Sequence, residues 1–189
     1  MQAKLIIISG PSGAGEDSII NGLEKIFSIE RVVTTTTRDM RPGEAVGQPY
    51  YFVTRAEFEL GIKEKKFFEF TKHYNDNYYG VTLEEIERVR RSDKVGIWKI
   101  DYKGVIQAKE LMPDIVAIFV NAPTDILEKR IRGRSGVTDE YVAERMAYTN
   151  EWLKHLDIYD YMVENEEGKL AETIAEVSGI IKRLTKNEA

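Results

Sequence analysis

The sequence predicts an α/β fold with a parallel sheet, and two observations lead to that prediction. The first is an apolar run at residues 3–9 that ends at a glycine, after which apolar residues recur at helical spacing over about 17–27. The second is a pair of runs typical of buried strands, 95–100 and 115–120, which flank a helix predicted over 104–112. Because strands that alternate with helices are joined by crossovers, this order favours parallel pairing.

Three further helices follow from the same periodicity. They are predicted over about 124–132, over 138–154 with Thr138 as the N-cap, and over 169–184. The last of them carries its apolar residues on one face, which we expect to pack against the sheet.

The stretch from about 32 to 82 has a different character. It holds β-branched and aromatic runs, interrupted by glycine and proline, at 34–37, 50–53 and 67–71. Thr54 with Glu57 and Thr82 with Glu85 have the spacing of a capping box, which predicts one short helix inside this stretch and another at its exit. The sequence therefore predicts a small β-rich excursion from the core.

The composition excludes several classes of protein. The 189 residues are 42% hydrophobic and 31% charged, which is typical of a single globular domain and excludes a disordered chain. The net charge of −5 gives no support to a nucleic-acid or membrane-surface partner. The longest apolar runs, 5–8 and 115–120, are far shorter than the roughly 20 residues of a membrane span, and no signal peptide is visible. We therefore expect no nucleic-acid and no membrane partner.

The chain has no cysteine, which excludes disulfides and thiolate metal sites and is compatible with a reducing cytosol. We therefore expect a cytoplasmic location. The two histidines, His73 and His155, are too few for a histidine cluster, and we interpret both as surface or packing residues. Any metal ion is expected on oxygen ligands.

Residues 10–18 read GPSGAGEDS and have the glycine spacing of a phosphate-binding loop between a strand and a helix. In such a loop the backbone N–H groups and the helix start face phosphate oxygens. The two positions after Gly15 ordinarily hold a lysine and a hydroxyl residue, but here they are Glu16 and Asp17. Two unit charges 4 Å apart interact by about 4 kcal/mol at an effective dielectric constant of 20, so this reversal of sign opposes phosphate binding. From this segment alone, a phosphate site and a simple tight turn both remain open.

Short motifs elsewhere resemble guanylate kinases in their order and spacing. They are TTTTRDMRPGE at 34–44, GQPYYF at 47–52, FFEF at 67–70, NYYG at 77–80, IDYKG at 100–104, and the series Arg130, Arg134 and Arg145. With GPSGAG, the resemblance covers nearly the whole chain. It implies a single domain, 1–189, with the P-loop nucleoside-monophosphate-kinase fold. The implied parts are a parallel sheet core flanked by helices at 1–32, 83–122 and 145–189, a small β-rich GMP-binding region at 33–82, and a helical lid at about 123–144.

The resemblance also implies an acceptor site for GMP. Arg38 and Arg41 would hold its phosphate, since guanidinium forks match phosphate oxygens, with hydroxyl donation from Tyr50 and Tyr79. Without the family, both tyrosines fit core positions as well. Glu69 would accept the N1 and N2 hydrogens of guanine, which adenine does not supply.

Three more residues complete the implied acceptor site. Thr34 would lie near guanine O6, and Asp101 would contact the base, although a strand-end aspartate also fits a helix cap. Val81 replaces a hydroxyl residue of the family beside the acceptor phosphate, and Thr82 is next to it.

On the donor side, the resemblance implies contacts between ATP and the loop, arginines that reach its phosphates as the lid closes, and an asparagine in the adenine pocket. These residues are Gly10, Ser12, Gly13, Ala14, Gly15, Glu16, Asp17, Ser18, Arg130, Arg134, Arg145 and Asn165. Arginines on an exposed helix are equally consistent with a solvated surface.

A second departure from the family pattern bears on the loop. Lys99 stands where the family usually has an acidic residue. We hypothesise that Lys99 replaces the loop lysine, that Glu16 pairs with it, and that Asp17 takes the place of the hydroxyl in positioning Mg²⁺.

The leading hypothesis is ATP-dependent phosphorylation of GMP to GDP with Mg²⁺, with Lys99, Arg38, Arg134 and Arg145 as the catalytic residues. The expected partners are GMP and ATP, and the expected state is a monomer or small homo-oligomer. Two alternatives remain open: a catalytically silent guanylate-kinase-like binding domain, and a kinase for another nucleoside monophosphate.

Overall fold

The computed structural model of the chain describes residues 4–72 and 76–186, so the interpretation of His73 lies outside the described residues. The strands of the described residues are β1 (Leu5–Ser9), β2 (Ile29–Arg31), β3 (Thr34–Thr36), β4 (Ala45–Val46), β5 (Pro49–Phe52), β6 (Phe67–Lys72), β7 (Tyr78–Thr82), β8 (Val95–Trp98), β9 (Val116–Asn121) and β10 (Tyr161–Glu164). Their helices are α1 (Glu16–Leu23), α2 (Arg55–Lys63), α3 (Leu83–Arg90), α4 (Tyr102–Leu111), α5 (Thr124–Arg132), α6 (Asp139–Trp152) and α7 (Leu170–Lys186), with a 3₁₀ helix at Leu153–Ile158. None of these helices is both long and apolar enough to cross a bilayer.

Five parallel strands form the core sheet, in the order β10, β9, β1, β8, β2. Every residue of β1 is buried. Ile6 and Ile8 pack in the cluster that contains residues of α1 and α7, whereas Leu5 and Ile7 pack in the cluster that contains residues of α3 and α4. Because helices cover both faces of the sheet, the strand is apolar from Leu5 to Ile8. The predicted parallel core is confirmed.

The other five strands form the β-rich sheet, in the order β4, β5, β3, β7, β6. β3 pairs parallel with β5 and antiparallel with β7, and β6 pairs antiparallel with β7. Helix α2 packs on this sheet through Phe58, whose ring centroid lies 4.1 Å from that of Phe67 and 5.1 Å from that of Tyr78. The predicted β-rich excursion is therefore present, with its one short helix.

The buried carboxylate of Glu85 links α3 to the segment between β2 and β3. Thr82 caps α3 by accepting the Glu85 N–H, as the sequence predicts. The Glu85 side chain, however, accepts the Val33 N–H at 2.7 Å and two hydrogen bonds from Arg88. Glu85 thereby links the start of α3 to the segment through which the chain enters the β-rich sheet. The capping box predicted at the start of α2 is also present: the Thr54 hydroxyl accepts the Glu57 N–H, and the Glu57 carboxylate accepts the Thr54 N–H.

Several element ends differ from the prediction. The predicted helix over 17–27 ends at Leu23, because the following N–H groups turn back to the carbonyls of Gly22 and Leu23 and the chain enters β2. Strand β8 ends at Trp98, so Lys99 lies in the segment that follows the strand rather than within it. Helix α5 has the predicted bounds, and Thr138 caps α6 as predicted.

Candidate active site

A cleft of about 430 Å³ lies between the carboxyl ends of the core strands, the β-rich sheet and α6. Carboxyl ends of parallel strands are where ligands bind in open α/β sheets. The sequence-predicted residues that line this cleft are Gly10, Ser12, Gly13, Glu16, Asp17, Thr34, Arg38, Arg41, Tyr50, Glu69, Tyr79, Lys99, Asp101, Arg134 and Arg145.

The loop at one end of the cleft has the backbone of an anion-binding turn. Gly13 and Gly15 have φ of 92° and 98°, values that favour glycine, and Gly15 is the N-cap of α1. Arg130 braces the loop from behind by donating to the carbonyls of Gly13 at 3.1 Å and Asn165 at 2.9 Å. The loop is therefore held rigidly against α5 and the end of β10.

Glu16 folds back onto this loop. Its Oε2 accepts the Gly15 N–H at 3.1 Å, and its own N–H also stabilises the carboxylate. Burial nevertheless dominates and raises the pKa of Glu16 to about 7. The carboxylate thus lies against backbone N–H groups of the loop.

Lys99 pairs with Asp17 and not with Glu16. Its Nζ lies 2.6 Å from Asp17 Oδ1, and side-chain exposure is 35% for the lysine and 68% for the aspartate. Burial alone would lower the pKa of Lys99, but the charge and hydrogen bond of Asp17 act together with Tyr50 and Glu16, and the pKa is raised. The predicted Glu16–Lys99 ion pair is therefore wrong, because Glu16 is turned toward Gly15.

Arg38 and Arg41 lie at the opposite wall. Arg38 donates to both carboxylate oxygens of Glu44, at 3.0 and 2.8 Å, and its guanidinium lies 5.2 Å from the Tyr50 ring centroid. Glu44 also accepts the backbone N–H of Arg41 at 2.8 Å. The rings of Tyr50 and Tyr79 meet edge to face at 6.0 Å. On this wall, therefore, Arg38 is already bound to a carboxylate, that of Glu44.

Two carboxylates lie between these walls. Glu69 is 4% exposed in β6, and burial, followed by the charge of Asp101, raises its pKa to about 8. Asp101 accepts the Gly104 N–H at 3.0 Å as the N-cap of α4, and it also accepts the Tyr148 hydroxyl at 2.7 Å. Asp101 therefore caps a helix and also lines the cleft, and its contact with the base stays a prediction.

Metal-binding capacity in the described residues is limited. Residues 4–72 and 76–186 contain no group of three or more acidic or histidine side chains placed to hold a metal ion. Asp17 is the carboxylate at the helix start beside the loop, and Mg²⁺ commonly takes one or two protein carboxylates together with substrate phosphates. An exposed Asp17 fits that limited role.

Comparison with known proteins decides the family. A family model described as guanylate kinase matches residues 2–184. The chain belongs to the guanylate kinase family. It is 40% identical over 171 residues to the guanylate kinase of Sodalis glossinidius (strain morsitans), covering 88% of this chain and 82% of that protein. It is 36% identical over 192 residues to the guanylate kinase of Haemophilus influenzae (strain 86-028NP), covering 98% and 91%.

The fold agrees with that of a solved guanylate kinase. The crystal structure of guanylate kinase from Anaplasma phagocytophilum superposes with a TM-score of 0.74 at 25% identity, covering 96% of this chain and 86% of that one. The predicted family and the predicted P-loop kinase fold are confirmed.

Six predicted guanylate-kinase site residues do not line the cleft, and Thr82 is the clearest correction. It caps α3, and because successive residues of a strand face opposite sides, it lies on the face of β7 opposite to Tyr79. Val81 is fully buried in the core. Neither Val81 nor Thr82 therefore supplies the family hydroxyl to the cleft.

The other five lie in the loop, at the start of α1 or in residues that contact the loop. Ser18 is exposed on α1, and the Ala14 side chain is fully buried. Gly15 contributes its N–H to Glu16. Arg130 is committed to two backbone carbonyls, and Asn165 is 4% exposed with its Nδ2 donating to the Ala14 carbonyl at 2.7 Å.

Sequence reasoning missed one wall of the cleft. Tyr141, Tyr148 and Trp152 line it from α6 together with Arg145. Positions 141, 145, 148 and 152 share one helical face, so the predicted Arg145 and the 3.6-residue period were sufficient to find them. Glu44 was also missed, although it stands within the quoted motif at 34–44.

Proposed function

We propose that this chain transfers the γ-phosphoryl group of ATP to GMP, giving ADP and GDP. The observation that carries the proposal is the juxtaposition, in one cleft, of a phosphate-type loop, two arginines and a buried carboxylate. In this reaction a GMP phosphate oxygen bonds to the γ-phosphorus as the bond to the β,γ-bridging oxygen breaks, and ADP retains that electron pair. The protein contributes positioning and charge stabilisation.

Guanine recognition is assigned to Glu69. Its carboxylate would accept the N1 and N2 hydrogens of the base, with Asp101 contacting the base and Thr34 near O6. The support is burial, because a carboxylate that is 4% exposed gains more from a double donor than an exposed one does. Adenine lacks that pair of donors and leaves the carboxylate unpaired.

The acceptor phosphate is assigned to Arg38, Arg41, Tyr50 and Tyr79. The support is the contact of Arg38 with Glu44, in which both terminal nitrogens of the arginine engage one carboxylate, as in bidentate binding of an anion. Phosphate binding would then exchange one anionic partner of Arg38 for another.

The donor side is assigned to the loop, Lys99, Arg134 and Arg145. Lys99 would supply the charge that the loop lysine supplies elsewhere in the family, and the support is its place beside the loop, since β8 pairs with β1. Mg²⁺ bound with ATP would neutralise phosphate charge, and Asp17 is the residue that would hold it. Segment 123–144, with Arg134 in the turn that follows α5, is proposed as the lid over the core and the GMP-binding region 33–82.

A catalytically silent binding domain is the second candidate. One observation favours it: Glu16 lies against loop N–H groups that a donor phosphate would use. A coupled assay of ADP formation separates the two functions. Purified protein is given ATP, Mg²⁺ and, in separate reactions, GMP, AMP, CMP or UMP. We expect turnover with GMP alone. Turnover with another monophosphate instead would contradict the acceptor assignment, and no ADP with any of them would favour the silent domain.

A further inference from the structure

The Glu16 carboxylate occupies a place made for an anion. Gly15 has φ 98° and ψ 23°, a left-handed conformation, and Glu16 then begins the right-handed helix α1. A left-handed residue followed by a helical one makes successive N–H groups converge into an anion-binding concavity. Glu16 Oε2 accepts the Gly15 N–H at 3.1 Å, so the side chain fills that concavity from its own helix.

No neighbouring cation among the described residues forms an ion pair that would draw Glu16 away from the Gly15 N–H. Lys99 forms its ion pair with Asp17, 2.6 Å from Oδ1, and its charge stabilises the Glu16 carboxylate without direct contact. Arg130, on the other side of the loop, donates to the Gly13 and Asn165 carbonyls. Glu16 is therefore stabilised by the backbone N–H groups that phosphate oxygens require in loops of this kind.

We propose that Glu16 is a built-in competitor of the donor phosphates and sets the affinity of the loop for its donor. The inference rests on the proposed function, since it takes the loop as the ATP site. The donor phosphate and the Glu16 side chain exclude each other, because both use the Gly15 N–H. Where the carboxylate is ionised, the two negative charges also repel each other. Each donor molecule that binds must displace the side chain, and each ADP that leaves is replaced by it.

A merely structural role for the same contact predicts the opposite sign. If Glu16 only braces the loop, its removal loosens the N–H groups and weakens nucleotide binding. If Glu16 competes, its removal frees the N–H groups and strengthens nucleotide binding. The direction of the change therefore separates the two roles.

The test is calorimetric titration of ADP, at constant Mg²⁺ and without GMP, into the wild-type protein and three variants. Glu16→Gln keeps the shape and removes the charge, and Glu16→Ala removes the side chain. Glu24→Gln is the matched control, because it removes a carboxylate just after the far end of α1, where Glu24 pairs with Arg31. Melting temperatures of the nucleotide-free proteins show whether each variant is folded, and Glu16→Gln keeps the test open if Glu16→Ala is not.

We expect both Glu16 variants to bind ADP about tenfold more tightly than the wild type, since hydrogen bonds to a charged group are among the stronger ones. The control should change by less than about twofold, because it alters a surface ion pair. Unchanged or weaker binding in folded Glu16→Gln overturns the competitor role and leaves the proposed function intact. Absence of ADP binding in every folded protein overturns both.

Discussion

The Lys99 ammonium lies 2.6 Å from the Asp17 carboxylate, at the point where β8 and the start of α1 meet beside the loop. Both residues stand at positions where this chain departs from the family pattern. The parallel pairing of Leu5 with Gly96 and of Ile7 with Trp98 brings the two strand ends together, so the lysine reaches the loop from the neighbouring strand. The altered lysine therefore contacts an altered loop carboxylate, and that carboxylate is Asp17 and not Glu16.

Binding of GMP should depend on pH through Glu69. Burial and the charge of Asp101 raise the pKa of Glu69 to about 8, whereas guanine N1 and N2 hydrogens require the ionised carboxylate. Below that pKa, binding GMP must release a proton, so affinity rises with pH and levels off above it. The GMP dissociation constant should fall about fivefold to tenfold between pH 7 and 8.5, where the GMP phosphate is already ionised.

Titration calorimetry in two buffers of different ionisation enthalpy measures that released proton directly. Glu69→Gln is the control: it should bind GMP weakly and without this pH dependence, while ADP binding stays unchanged. A flat profile in the wild type, or the same slope in Glu69→Gln, would contradict the assignment.

Tyr148 should act as a positioning residue for Asp101. Its hydroxyl donates to Asp101 Oδ2 at 2.7 Å, and burial together with Asp101 raises its pKa, so it remains a protonated donor. Tyr148→Phe removes only the hydroxyl and should raise the KM for GMP about threefold to tenfold, with kcat nearly unchanged. Tyr159→Phe loses a buried hydroxyl that binds Ser9 and Trp152 and should leave KM unaltered. Equal effects of the two variants on KM would refute a specific role.

Arg134 should contribute to turnover more than to GMP binding. It is exposed in the turn after α5 yet lines the cleft, with Gly133 before it and Gly136 two residues after it. Arg134→Ala should lower kcat about 100-fold and leave the GMP dissociation constant unchanged. Arg132→Ala, whose guanidinium pairs with Glu128 and Asp139 at the surface, is the control and should retain wild-type rates.

Proteolysis checks the motion of the same segment. Cleavage between 132 and 138 should slow when both nucleotides are present, because a closed lid protects its backbone. An identical cleavage pattern with and without nucleotides would argue against a moving lid.

Exchanging the two altered charges should restore the family arrangement. Lys99→Asp alone leaves three carboxylates near the loop and should inactivate the protein. Adding Glu16→Lys keeps the local charge of the wild type and should recover at least about tenfold in turnover, since one preorganised charge is typically worth 10² to 10³ in rate. A double variant no faster than Lys99→Asp alone would show that the two positions do not compensate.

The sequence was sufficient where a local pattern decides the structure. The helix start at Thr138 and the bounds of α5 depend on capping and apolar spacing, and both agree with the structure. Strands β2 and β10 escaped prediction because neither has a run of buried apolar residues: no residue of β2 is buried, and Val163 is the one buried residue of β10.

The sequence predicted which residues line the cleft better than it predicted which residues they contact. Resemblance placed Arg38, Glu69 and Asp101 in one cleft, and they lie there. Lys99 pairs with Asp17 and not with Glu16 because the left-handed turn at Gly15 directs the Glu16 side chain to the backbone. The sequence alone does not reveal that turn. Thr82 was misplaced because its side of β7 depends on strand alternation, which the motif match ignores.

The turnover of Lys99→Ala shows whether Lys99 does the work of the loop lysine. The variant and the wild type are compared in the coupled assay with ATP, Mg²⁺ and saturating GMP, and GMP binding is measured by calorimetry. We expect kcat to fall about 10² to 10³-fold, the usual result of removing one charge that stabilises a transition state, while the GMP dissociation constant stays within about twofold. Wild-type turnover in a folded Lys99→Ala protein would contradict the claim that Lys99 replaces the loop lysine.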